Sequence, residues 1–142
     1  LVMAIAKGAL AQLKTLHLDG NRIGDAGMSA LADACAKGSM AKLKKLDLTQ
    51  NRIGDPGVSA LADACAKGAL TQLKELGLDA QMIGDDSCSV IAEACGRGAM
   101  AQLTHINWTV WRVSLLLGHR LDLHWKAMRC LRGGICLCPY NL

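Results

Sequence analysis

The chain has 142 residues, enough for one domain and too few for an enzyme with a separate cofactor-binding half. Apolar residues make up 51% and charged residues 20%, which excludes the signature of intrinsic disorder, and with 3% aromatics and no Phe any core must be built from Leu, Ile, Ala, Met and Cys. The net charge of +4 arises entirely beyond residue 102, where Arg112, Arg120, Lys126, Arg129 and Arg132 are dispersed rather than gathered into a polybasic patch, so no nucleic-acid partner is expected.

The N-terminal run Leu1-Val2-Met3-Ala4-Ile5-Ala6-Lys7 lacks the basic start and long apolar stretch of a secretory signal. The run Leu115-Leu116-Leu117 is far shorter than the roughly 18 residues of a membrane span. A cytoplasmic protein with no membrane association is the expectation. Residues 1–12 already carry half of a repeating unit, because Leu1 aligns with Leu31 and Lys7-Gly8 with Lys37-Gly38, and a chain that opens in mid-repeat reads as a fragment of a larger protein.

The first full unit, residues 13–42, starts with Leu13-Lys14-Thr15-Leu16-His17-Leu18, in which Leu16 and Leu18 alternate with polar neighbours as in a short strand. Asn21-Arg22-Ile23-Gly24-Asp25 turns the chain, and Met28, Leu31, Ala32 and Cys35 then fall on one stripe of a helix. Asp25 stands where an N-cap belongs, while Lys37-Gly38 ends the helix with a cation at the negative end of the dipole and a glycine suited to positive φ. The second unit, residues 43–72, repeats this with Leu46, Leu48, Asp55 as N-cap, Pro56 at the first helical position, Cys65 and Lys67-Gly68. The third, residues 73–102, has Leu76, Leu78, Asp85, Cys95 and Arg97-Gly98, with Gln81 in place of Asn51 and Ser87 in place of Gly57. A fourth begins at Leu103, keeps Ile106 and Asn107, and loses the pattern after Trp108. Residues 109–142 form a divergent tail with three readings: a C-terminal cap, a separate binding element, or a gene-model artefact.

A fixed period of thirty residues means a stacked solenoid. The pattern Leu13-x-x-Leu16-x-Leu18-x-x-Asn21-x-Ile23, followed by Gly24, Gly27 and Leu31, resembles the leucine-rich repeat, specifically the ribonuclease-inhibitor-like type found in NOD-like receptors and Ran GTPase-activating protein. The resemblance covers residues 1–108 and implies an α/β solenoid, a short horseshoe with parallel strands on the concave face and helices on the convex face. It also implies that Asn21 and Asn51 satisfy backbone groups along the turns, with the ladder weakened at Gln81. Strand spacing of roughly 4.8 Å against helix spacing of roughly 8–10 Å bends such an array towards its strands.

With the leucines facing inward, three rows of residues point from the strands into the concavity: Thr15, Lys45, Glu75 and His105; His17, Asp47, Gly77 and Asn107; Asp19, Thr49 and Asp79. These rows vary between units while the inward positions do not, as a recognition surface requires, although drift at exposed positions looks the same. The function expected is a non-enzymatic protein–protein interaction module. Regulation of an enzyme, as inhibitor or GTPase activator, is the alternative the resemblance implies, and a metal- or thiol-dependent role of the Cys-rich tail is a third. No cofactor is expected, and no metal: His119, His124, Cys130, Cys136 and Cys138 match no paired zinc spacing. His17 and Asp47, lateral neighbours on adjacent strands, read as an exposed ion pair rather than an acid–base couple. Cys35, Cys65 and Cys95, on neighbouring helices, read as buried thiols in a reducing compartment, and Cys88 as an exposed residue near a helix start.

Overall fold

The computed structural model describes residues 10–78, 84–107 and 136–137. Within them the strand–turn–helix unit is repeated as the period demands: β1 (Thr15–His17), α1 (Asp25–Ala36), β2 (Lys45–Asp47), α2 (Asp55–Ala66), β3 (Glu75–Gly77), α3 (Asp85–Gly96), β4 (His105–Asn107) and β5 (Cys136–Leu137). The strands form one parallel sheet in sequential order, and each of the first three coils pairs with the next in a register of thirty residues, Leu16 beside Leu46, Leu46 beside Leu76 and Leu76 beside Ile106. β5, from the tail, continues the same ladder, placing Cys136 beside His105 and Leu137 beside Ile106. The architecture is an α/β leucine-rich-repeat solenoid, a row of strands backed by a row of helices.

The core lies between the two rows. Leu46, Leu48, Ile53, Leu73, Leu76 and Leu78 are buried from the strand side and the turns, and Met28, Leu31, Ala32, Cys35, Leu61, Ala62 and Cys65 meet them from the helices. Cys35 and Cys65 are thiols packed as small apolar groups; burial pushes both up to about 12, so neither ionises near neutrality. Cys95 is half-buried at the same place in α3. Cys88 falls in the first turn of α3, and its exposure lies outside the described residues, as do Gln81, Asp79 and the tail histidines.

Backbone hydrogen bonds tie coil to coil beyond the short strands. The amides of Lys44, Lys74 and Thr104 donate to the carbonyls of Lys14, Lys44 and Lys74 at 2.8, 2.8 and 2.9 Å, and Leu18 and Leu48 donate to Asp47 and Gly77 at 2.8 and 2.9 Å. Asn51 closes the turn as the resemblance implies. Its Nδ2 donates to the carbonyls of Leu18 (2.8 Å) and Leu48 (2.7 Å) in a buried site, and its Oδ1 accepts from the amide of half-buried Ile23 at 3.0 Å. Asn21, by contrast, is exposed and among the described residues donates to the carbonyl of Asp19 at 3.2 Å.

The helix ends bring one confirmation and one correction. Gly38, Gly68 and Gly98 take φ of +80°, +90° and +87°, the left-handed conformation that ends a helix and that glycine adopts without strain. The N-caps, however, are Gly24, Gly54 and Gly84, each extended and without a side chain to cap with; Asp25, Asp55 and Asp85 are the first helical residues, and Pro56 is one place further in than expected. The aspartates are displaced because they serve the following coil. Asp25 Oδ1 accepts from the amides of Gly54 (2.7 Å) and Gly57 (3.1 Å), at the start of α2, and Asp55 Oδ1 accepts from the amide of Gly84 (2.8 Å) and the hydroxyl of Ser87, at the start of α3. An N-cap side chain normally satisfies such orphan amides from within its own helix; here the preceding coil supplies the oxygen.

Candidate functional site

Parallel pairing in register turns sequence spacing into neighbouring side chains. Thr15, Lys45, Glu75 and His105 form one row across the sheet, and His17, Asp47, Gly77 and Asn107 the next, all exposed or half-exposed on either side of the buried leucines. Asp19 and Thr49 follow in the third row, and Asp79 lies outside the described residues. The register therefore brings together ten of the eleven residues expected on this face.

Their chemistry pairs off between coils. Lys45 Nζ stands 3.1 Å from Glu75 Oε2, an exposed pair worth no more than about 1 kcal/mol. His17 Nδ1 is 3.8 Å from Asp47 Oδ2, within ion-pair reach when the imidazole is protonated and too long for a hydrogen bond. Asp47 Oδ1 is already taken: the hydroxyl of Thr49 donates to it at 2.6 Å and the amide of Thr49 at 3.1 Å. Burial pushes the Asp47 carboxyl up, but those two hydrogen bonds and the charges of His17 and Lys45 outweigh it and hold the group below the ordinary carboxylate value. The Asp-x-Thr spacing is the sequence signal for this local bond.

At β4, the Thr104 hydroxyl donates to the carbonyl of Lys74 at 3.0 Å. Its proton being committed there, the 3.0 Å contact with His105 Nδ1 makes the imidazole the donor, with a proton on Nδ1. His17, Asp19 and Asp47 place one donor atom each within 4.8 Å of one another, the only such group among the described residues. A cation there would find one nitrogen and two carboxylate oxygens on an open surface, with half of Asp47 already engaged by Thr49.

Gly77 opens a hollow in the middle of the face. A Cβ at this position would lie 2.7 Å from Asp47 Oδ1 and 3.0 Å from Thr49 Oγ1, so the glycine is what allows the Asp47–Thr49 pair to lean across its neighbour. The resulting cavity of about 160 Å³ is walled by Lys45, Asp47, Thr49, Glu75, Gly77, His105 and Asn107 over Leu46 and Leu76. The period predicts the membership of the rows. The hollow depends on what a missing side chain leaves behind, which no pattern shows. Small-molecule sites occupy about 300–1,000 Å³, and the hollow is smaller than that. Among the described residues no helix is long and apolar enough to cross a membrane.

The family model described as Leucine Rich repeat matches residues 11–32 and 39–62, and so covers β1, β2 and most of the first two helices. These two segments thus match leucine-rich repeats, modules that in general mediate protein–protein interaction and are typically non-enzymatic. Of the strand-face residues, Thr15, His17, Asp19, Lys45, Asp47 and Thr49 fall inside the matched segments. No curated protein sequence matches the chain.

Proposed function

We propose that the strand face is the binding surface of a non-enzymatic protein-recognition module of the ribonuclease-inhibitor-like type, acting in the cytoplasm. One observation carries this reading: a sheet face of constant backbone geometry displays side chains that differ from coil to coil, around a hollow too small for a cofactor. Side chains ordered on a fixed scaffold lose little entropy on contact, so even a modest array binds efficiently. A stable interface needs about 800 Å² on each partner, which favours an extended partner segment running across several strands. The subtype is supported by alternation of three-residue strands with twelve-residue helices. The reducing compartment is supported by Cys35 and Cys65, which are thiols rather than disulfides.

Photo-reactive amino acids at Lys45 and His105 on the strand face, and at Asp63 on an exposed part of α2, test the assignment in cell extract. The expected result is a defined cross-linked protein from the two strand positions and none from Asp63. Capture from Asp63 alone would move the interface to the helices, and the absence of any adduct from the strand positions would remove the reading.

A further inference from the structure

Gly77 is the one residue of its row without a side chain, set between Asp47 and Asn107. We infer that the hollow beside it is a subsite for an arginine side chain of the partner, an inference that rests on the strand face being the interface.

The charge balance of the walls selects a cation. The lining holds one fixed positive charge, Lys45, 3.1 Å from Glu75, against two carboxylates, Glu75 and Asp47, so one negative charge is left over. The Asp47 carboxylate leans over Gly77 with Oδ1, which already accepts from the hydroxyl and the amide of Thr49, so a cation in the hollow meets the charge of a carboxylate held in place. With its carboxyl held below the ordinary value, Asp47 keeps this charge at any physiological pH. An acidic group entering the hollow would meet a like charge, and an apolar one would desolvate the carboxylate without replacing its water.

Shape separates arginine from lysine. Asp47, Glu75 and Asn107 belong to three consecutive strands, so acceptors line the hollow from more than one side. A planar guanidinium with five fixed donors engages separated acceptors at once, whereas an ammonium is a compact point charge. At about 160 Å³ the cavity holds roughly five water volumes, the scale of one side-chain head group and its stem.

The test is a nuclear magnetic resonance titration of the whole chain with blocked pentapeptides that carry arginine, lysine or glutamate between glycines, up to about 20 mM, where even a millimolar Kd saturates. Arginine is expected to shift the amides of Asp47, Gly77 and Asn107 saturably, with lysine at least several-fold weaker and glutamate without effect. Gly77→Ser, whose Cβ would crowd Asp47 Oδ1 at 2.7 Å and push the carboxylate from its place, and Asp47→Asn, which removes the charge and keeps the shape, should each weaken arginine binding about tenfold. Equal shifts from arginine and glutamate, shifts located elsewhere, or unchanged affinity in both variants would overturn the subsite. A protein partner that cross-links from Lys45 and binds Gly77→Ser and Asp47→Asn as well as the wild type would keep the strand-face reading and discard the arginine subsite alone.

Discussion

The junction between the first and second coils and the junction between the second and third perform the same task with different atoms. In each, an aspartate at the start of one helix accepts hydrogen bonds from the start of the next. At the first junction both donors to Asp25 are backbone amides, and the second of them requires Gly57: a Cβ there would lie 2.7 Å from Asp25 Oδ1, 2.8 Å from Ile53 Cγ2 and 3.1 Å from Met28 Cβ. At the second junction Ser87 stands in the equivalent place, fully buried, and its hydroxyl donates to Asp55. A missing side chain that lets the backbone come close and a small polar side chain that spans the gap are thus interchangeable ways of stacking one coil on the next. The departure from the repeat at Ser87 is accommodated by an added donor, and no polar side-chain atom among the described residues is left buried without a partner.

The largest effect that sharpens this comparison is expected at Asn51, which joins the first two coils through the Leu18 carbonyl and the Ile23 amide and closes its own turn through the Leu48 carbonyl. Asn51→Ala strands these groups in a buried site, at a cost of roughly 1–3 kcal/mol for each group left unsatisfied, so a total of about 3 kcal/mol is expected after partial relaxation. Urea unfolding followed by circular dichroism would measure it. A loss below about 0.5 kcal/mol, the scale of an ordinary surface substitution, would show that water replaces the side chain and that the helix-side contacts alone hold the coils together.

An exchange of residues between the two junctions comes next. Gly57→Ser is expected to destabilise by about 1–3 kcal/mol, because Ile53 and Met28 crowd the new Cβ. Ser87→Gly is expected to cost less, about 1 kcal/mol, because the amides at the start of α3 keep the Asp55 oxygen while the hydroxyl bond is lost. If the two substitutions cost the same, the junctions differ in sequence alone and not in packing.

How much of this was legible in the sequence varies with the physics involved. The thirty-residue period and the two-residue alternation around Leu16, Leu46 and Leu76 fixed the inward leucines, the strand register and therefore the exposed rows, because parallel pairing leaves a side chain no other place to go. Gly38, Gly68 and Gly98 announced the helix ends for a similar reason, since few residues accept positive φ. The aspartates were legible as caps and misplaced by one residue and one coil, because a local rule assigns a carboxylate to its own helix and cannot see the helix stacked beside it. Leu70 and Met100 were illegible altogether: both take left-handed φ, 54° and 55°, at a cost of order 1–3 kcal/mol each, which their burial offsets. The pairing of Lys45 with Glu75 and the hollow at Gly77 depend on side-chain reach and on space left empty, and neither has a period.

The smallest expected effect separates the two aspartates' shared role from simple charge at a helix start. Burial pushes the Asp55 carboxyl up, but the Ser87 hydroxyl and the amides of Gly84 and Ser87 more than compensate, so in the folded chain it titrates below the ordinary carboxylate value. A group depressed in this way contributes stability above its unfolded value, near pH 4, and loses that contribution as the pH falls through the folded value. Asp55→Asn removes the titration and retains an oxygen able to accept from the Gly84 amide, so at neutral pH the cost should be about 1 kcal/mol or less. The difference in unfolding free energy between wild type and Asp55→Asn should therefore be constant from about pH 7 to 5 and shrink below about pH 4 as the wild-type carboxylate is protonated. A difference that stayed constant down to about pH 2 would mean that Asp55 titrates alike in both states. The coils would then be joined there by geometry, with the charge of the bridging oxygen contributing nothing.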